Sequence, residues 1–197
     1  FLTSPNNPDG SLVSDAELCL LLDLPLVVVL DEAYTEFAPS GTSRLSWPLD
    51  CKNLIVLRSF SKWAGLAGLR VGYGVFPSEL LIHLWRIKQP YNVSVAATAA
   101  ALASLDDLEY LQQMVVQILQ ERKRLYKLLG ETLYLHPYPS HANFLLCKVE
   151  GRSAQNLKED LEREGILVRY FHKSDLQDYI RVSVGRPEHT DALVRAL

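Results

Sequence analysis

One short run constrains this chain more than any other. Leu26-Val27-Val28-Val29-Leu30 is apolar throughout, β-branched in its middle and followed at once by Asp31. A strand without polar alternation predicts a central parallel strand covered on both faces. Ser14-Asp15-Ala16-Glu17 has the spacing of a capping box, so a helix over 15–22 should lead into that strand. A second apolar run, Leu54-Ile55-Val56-Leu57, follows a polar loop over 39–50, and a third, over 71–76, follows a Gly-rich connection. Strands separated by helices or long crossovers predict an α/β fold with a sheet that is at least partly parallel.

Beyond Ser94 the character changes. Ala and Leu, the strongest helix formers, dominate through Leu105. Leu108, Leu111, Val115, Ile118, Leu119, Leu125 and Leu129 then recur every three or four residues, predicting a long amphipathic helix that stops at Gly130. A strand over 143–149, a helix over 154–164, strands over 167–171 and 179–184 and a last helix after Pro187 complete an α+β pattern. Two domains are expected, over 1–105 and 106–197, the second opening with the long helix. A length of 197 residues suits one large domain or two small ones.

The charge balance excludes several function classes. With 20 basic against 23 acidic residues the net charge is −3, so the chain lacks the positive excess that binds a phosphate backbone, and nucleic acid is not an expected partner. The most apolar stretch, Leu18 to Leu30, is broken by Asp23 and Pro25 and falls short of the roughly 20 residues of a membrane span. Cys19, Cys51 and Cys147 form no C-x-x-C pair, and reduced thiols in a cytoplasmic protein are the simplest expectation. His136, His141 and His172 lack metal-ligand spacing, so no metal site is expected. The chain opens Phe1-Leu2-Thr3 with no initiator Met, basic n-region or small-residue cleavage site; no signal peptide is visible, and the start reads as a cut.

Chemistry concentrates in two places. Asp31 follows the apolar strand directly, and ligands of α/β sheets bind at the carboxyl ends of strands; standing alone it would read as an ordinary loop charge. The segment from Ser59 to Arg70 follows the next strand and holds Ser59, Ser61, Lys62, Gly65, Gly68 and Arg70. Hydroxyls and a guanidinium suit a phosphate, although the order is not that of a P-loop. A lysine set among apolar and glycine residues is expected to be partly withdrawn from water. There the uncharged amine needed for carbonyl attack is favoured, making Lys62 a candidate Schiff-base lysine; standing alone it would read as an ordinary solvated lysine.

Together, Ser4-Pro5-Asn6-Asn7-Pro8-Asp9-Gly10, Asp31-Glu32-Ala33-Tyr34 and Ser59-x-Ser61-Lys62 with Arg70 resemble the fold-type I pyridoxal-phosphate aminotransferases. Leu66-Ala67-Gly68-Leu69-Arg70-Val71-Gly72-Tyr73, Pro90-Tyr91-Asn92-Val93-Ser94 and Ala142-Asn143-Phe144-Leu145 narrow the resemblance to the histidinol-phosphate aminotransferase family, over the C-terminal part of a full-length member. The family pattern has Thr where this chain has Asp9. The resemblance implies part of a large cofactor-binding domain with a mixed, mostly parallel sheet, plus a smaller α+β domain. It implies pyridoxal 5'-phosphate as cofactor, Lys62 as the lysine that holds it and moves the substrate proton, and Asp31 against the pyridine nitrogen. Asn7 and Tyr34 would meet the ring's phenolic oxygen, and Ser59, Ser61 and Arg70 the cofactor phosphate. Arg181 would receive the acid of glutamate or 2-oxoglutarate, and Arg169 the phosphate of histidinol phosphate or imidazole acetol phosphate; a surface salt bridge is the alternative for each. A homodimer is implied for the full-length protein. The family's N-terminal half supplies further strands and cofactor contacts, so the 197 residues alone are expected to fold incompletely or to hold the cofactor weakly, because an incomplete sheet leaves an open edge. Sister activities on the same scaffold, threonine-phosphate decarboxylase among them, and a non-catalytic interaction module are the alternatives.

Overall fold

In the computed structural model, which describes residues 1–197, the capping box closes as its spacing predicts. The Ser14 hydroxyl accepts from the Glu17 N–H, and the Glu17 carboxylate accepts from the Ser14 N–H at 2.8 Å. These two bonds satisfy donors that a helix start leaves without partners, and α1 runs over Asp15–Leu22. Four strands follow in one sheet: β1 (Leu2–Thr3), β2 (Val28–Asp31), β3 (Leu54–Ser59) and β4 (Gly72–Val75), in the order β1-β2-β3-β4. The first three are parallel and β4 runs antiparallel to β3. The sheet is therefore mixed and mostly parallel, and the chain is of the α/β class.

Coverage of the central strand differs from the expectation. Val28 and Leu30 are buried against Leu18 of α1, Leu54 and Val56, but Val29 is only half-buried and Leu26 and Val27 are each 53% exposed. The ladder starts at Val28 because the preceding backbone is already committed. The Asn53 amide donates to the carbonyls of Leu22 and Leu26, and the Leu26 N–H to the carbonyl of Leu24. An α2 (Ser78–Ile87) lies where no helix was expected, and none of its residues is buried. The Ala-rich segment forms α3 (Val95–Asp106), capped by the Ser94 hydroxyl, and the periodic one forms α4 (Leu108–Gly130).

The second sheet is antiparallel throughout: β5 (Leu135–Pro137), β6 (Phe144–Val149), β7 (Arg169–Tyr170) and β8 (Tyr179–Ser183), in the order β5-β6-β8-β7. With α5 (Ala154–Arg163), α6 (Pro187–Ala196) and the later turns of α4 it encloses a core of Leu125, Leu129, Leu145, Leu157, Leu161 and Ile180. The Cys147 thiol lies in this core, and burial pushes it up to about 12, which removes it as a nucleophile at neutral pH. Leu129 is fully buried; Leu129→Ala should cost about 2–5 kcal/mol of unfolding free energy, read as a lower denaturation midpoint with unchanged denaturant slope.

The chain divides into two compact units, one of residues 1–6 and 12–114, the other of 7–11 and 115–197. The division thus falls inside α4, where a break at 105/106 was expected from the change of pattern. Leu125 and Leu129 belong to the second core, and the 7–11 turn joins that unit because the His141 N–H donates to the Gly10 carbonyl at 2.8 Å. Gly10 has φ +75°, and a Cβ there would lie 2.0 Å from the Ser140 Oγ, so only glycine fits. No helix is long and apolar enough to cross a membrane.

Candidate active site

Parallel neighbours end on the same side of a sheet, so the segments leaving β2 and β3 are delivered to one edge. Asp31 ends β2, paired with Leu57 of β3. Its half-buried carboxylate accepts from the Ala33 N–H at 3.0 Å. A tight turn follows, closed by bonds from Thr35 N–H to Glu32 and from Phe37 N–H to Tyr34. That turn buries Tyr34 to 8% exposure. At the end of β3 the Ser61 N–H donates to the Ser59 Oγ at 3.0 Å, starting the turn that carries Lys62. The Lys62 Nζ stands 5.4 Å from the centre of the Tyr34 ring.

Lys62 itself is exposed, against the expectation that it would be withdrawn from water. The reason is local. Trp63, Ala64 and Leu66 pack onto Phe60, Val71 and Ala97, which satisfies the apolar side of the turn and leaves the amine on the other. Arg70 takes a left-handed backbone conformation, φ 54° and ψ 45°, with its guanidinium donating to the Ala67 carbonyl at 2.8 Å. That conformation costs a non-glycine residue about 1–2 kcal/mol, and strain of this kind concentrates at ligand-binding positions.

The second unit holds the remaining candidates. Asn7 was expected at a cofactor oxygen; its Oδ1 accepts from the Arg181 Nη1 at 2.5 Å. Because Arg only donates, the amide NH₂ of Asn7 points away and keeps its two donors. The Arg181 guanidinium lies 4.8 Å from the Phe144 ring centre. Arg169 pairs directly with Arg181 across β7 and β8, so both side chains leave the same face of the sheet. Arg169 is exposed and lies over Phe171. A cleft of about 470 Å³ in the same unit, lined by Ile166, Val168, Val184 and Leu193 among others, holds none of the candidate residues.

A further group escaped the sequence reading. Arg58, the lone charge of β3, bonds Glu36 at 2.5 Å and the Ser43 Oγ at 3.3 Å, and lies 3.5 Å from Glu32. Burial pushes the Glu36 carboxyl above its usual range, with the Arg58 guanidinium opposing that rise. A charge directly after the apolar run Leu54 to Leu57, on the same strand, was the available signal.

The groups delivered by β2 and β3 are a carboxylate, a phenol, an amine, two hydroxyls and a strained arginine. That set matches the chemistry of a phosphorylated, protonatable pyridine aldehyde group by group. A model of aminotransferase class I and II matches residues 1–197. Histidinol-phosphate aminotransferase of Nicotiana tabacum, a chloroplastic enzyme by name, is 57% identical over 198 residues, covering 100% of this chain and 48% of the relative. The crystal structure of the histidinol-phosphate aminotransferase from Clostridium acetobutylicum superposes with a TM-score of 0.92 at 26% identity, over 100% of this chain and 62% of that one. The Sinorhizobium meliloti enzyme of the same name, in complex with pyridoxal-5'-phosphate, gives 0.90 at 31% identity, over 100% and 56%. The chain spans about half the length of the curated relatives it matches. Its strand order, its site residues and the family match lead to one conclusion: the chain belongs to the class I and II aminotransferases.

Proposed function

We propose that the protein carrying this chain is a pyridoxal-phosphate-dependent aminotransferase. In this reading it converts histidinol phosphate and 2-oxoglutarate into imidazole acetol phosphate and glutamate. The observation that carries the reading is the delivery of Asp31, Tyr34, Ser59, Ser61 and Lys62 to the carboxyl ends of two adjoining parallel strands, with the Lys62 Nζ 5.4 Å from the Tyr34 ring. Asp31 holds a proton on the pyridine nitrogen by its negative charge. Tyr34 addresses the phenolic oxygen, and Ser59, Ser61 and Arg70 the phosphate. When bound, pyridoxal phosphate supplies the electron sink that lets the amine-bearing carbon lose its proton. Lys62 would anchor the cofactor and, once released, would serve as the base that carries the proton lost by the amine-bearing carbon.

The cross-strand pair Arg169 and Arg181 supports an acidic substrate. Like charges directly opposite each other destabilise a sheet, and a ligand carrying phosphate or carboxylate relieves the repulsion. Arg181→Leu should lower kcat/KM for glutamate about 10- to 100-fold, as expected for losing hydrogen bonds to a charged group, with kcat at saturation changed much less. A homodimer belongs to the same reading, and sedimentation of the holoenzyme checks it.

The test of the function is direct. The protein is loaded with pyridoxal phosphate, reduced with borohydride and digested, and the modified peptide is expected to contain Lys62. Rates with histidinol phosphate, tyrosine, phenylalanine and O-phosphothreonine are then compared using 2-oxoglutarate as acceptor. With the protein at full length, modification at no lysine, or at another one, would sink the proposed role of Lys62; a faster reaction with another amine would sink the substrate.

A further inference from the structure

Between Asp31 and Tyr34, and again just after Tyr34, the chain carries carboxylates that take no part in the chemistry above. Glu32 is 1% exposed. Its Oε2 accepts from the Ser43 hydroxyl and its Oε1 from the Arg44 N–H, both at 2.6 Å. Glu36 has a side chain 15% exposed and reaches the Arg58 Nη2. Arg58, 13% exposed, faces both carboxylates from β3, one residue before Ser59. One guanidinium therefore grips the turn bearing Asp31 and Tyr34 from the strand that leads to Ser59, Ser61 and Lys62.

Stability alone does not account for this arrangement. Burying ions costs several kcal/mol each, and well-packed apolar residues in place of a buried ion pair are often neutral or stabilising. Here two carboxylates share one cation, and Glu36 Oε2 and Arg58 Nε are buried without hydrogen-bond partners. A merely structural tie would be better served by leucines. What an ionic brace supplies and an apolar contact does not is direction, since the planar fork of Arg fixes the angle as well as the distance.

We propose that Arg58, acting through Glu32 and Glu36, is a positioning residue that fixes the orientation of Tyr34 and Asp31 toward the cofactor ring. The inference rests on the functional reading above, because without a bound ring the orientation has no object. Arg58 touches neither ring nor substrate; it sets the turn from behind.

The experiment uses the holoenzyme at its natural length, with pyridoxal phosphate itself as the probe. Arg58→Met replaces the guanidinium by an apolar side chain of similar length, Arg58→Lys keeps the charge without the fork, and Glu36→Gln keeps the shape without the charge. For Arg58→Met, cofactor affinity should weaken about 10- to 100-fold, the range seen when supporting partners of a ligand shell are removed. The induced circular dichroism in the cofactor's absorption band, which reports the ring's orientation, should fall or change sign. Arg58→Lys should recover part of both, and Glu36→Gln should shift both in the same direction by less. Should Arg58→Met fail to fold by far-ultraviolet dichroism, Glu36→Gln decides the matter. A folded variant with parental affinity and parental induced dichroism overturns the inference and leaves the functional reading intact. A parent protein that takes up no pyridoxal phosphate overturns the functional reading, and the inference with it.

Discussion

Replacing Lys62 by alanine is expected to lower the transamination rate by about 10⁴-fold or more. Losing a positioned proton carrier costs about 10²–10⁴-fold by itself, and the covalent anchor is lost with it. The change should leave the fold untouched, because the side chain is exposed and its turn is held by Trp63, Ala64 and Leu66. Pyridoxal phosphate should then leave the variant on gel filtration while remaining with the parent. A small primary amine added to the assay should restore part of the rate by occupying the space that Lys62 vacates. Single-turnover absorbance with histidinol phosphate measures the effect, and a variant within tenfold of the parent would show that the amine sits elsewhere.

Asp31→Asn carries the second large effect. The carboxylate's work is electrostatic: at about 4 Å and an effective dielectric near 20, a pair of opposite unit charges gains about 4 kcal/mol, so its loss should lower kcat by about 10³-fold. Asparagine keeps an Oδ1 acceptor, and the bond from the Ala33 N–H that shapes the turn should survive. The substitution therefore separates charge from geometry. Unchanged kcat in a folded Asp31→Asn protein would mean that the carboxylate does not face the ring nitrogen.

How much of this was legible in the chain varies with the range of the interaction. The Ser14 capping box and the periodicity of α4 were readable because their partners lie within four residues. The strand-terminal Asp31 and the Ser59-to-Arg70 segment were readable because the chemistry demands those residue types close together. The limits of β2 were not, since they depend on Asn53, 31 residues after Leu22, claiming carbonyls that the ladder would otherwise use. The exposure of Lys62 agrees with the ordinary solvated reading of a lone lysine and not with its withdrawal among apolar neighbours, because Val71 and Ala97 receive the apolar side of the turn. The Arg58 brace joins Glu32, Glu36 and Ser43, up to 26 positions away, and nothing in the local pattern points from one to the others. Asn7 meeting Arg181 spans 174 positions, and only the turn made at Gly10 brings them together.

The alignment of β7 with β8 has a consequence for selectivity. If Arg169 and Arg181 receive acids of the substrates as proposed, two guanidiniums leaving one face of adjoining strands would respond to the charge of a guest more than to its shape. A slip of one residue between the strands would send one arginine to the opposite side, and the two would no longer share a face although no side chain had changed.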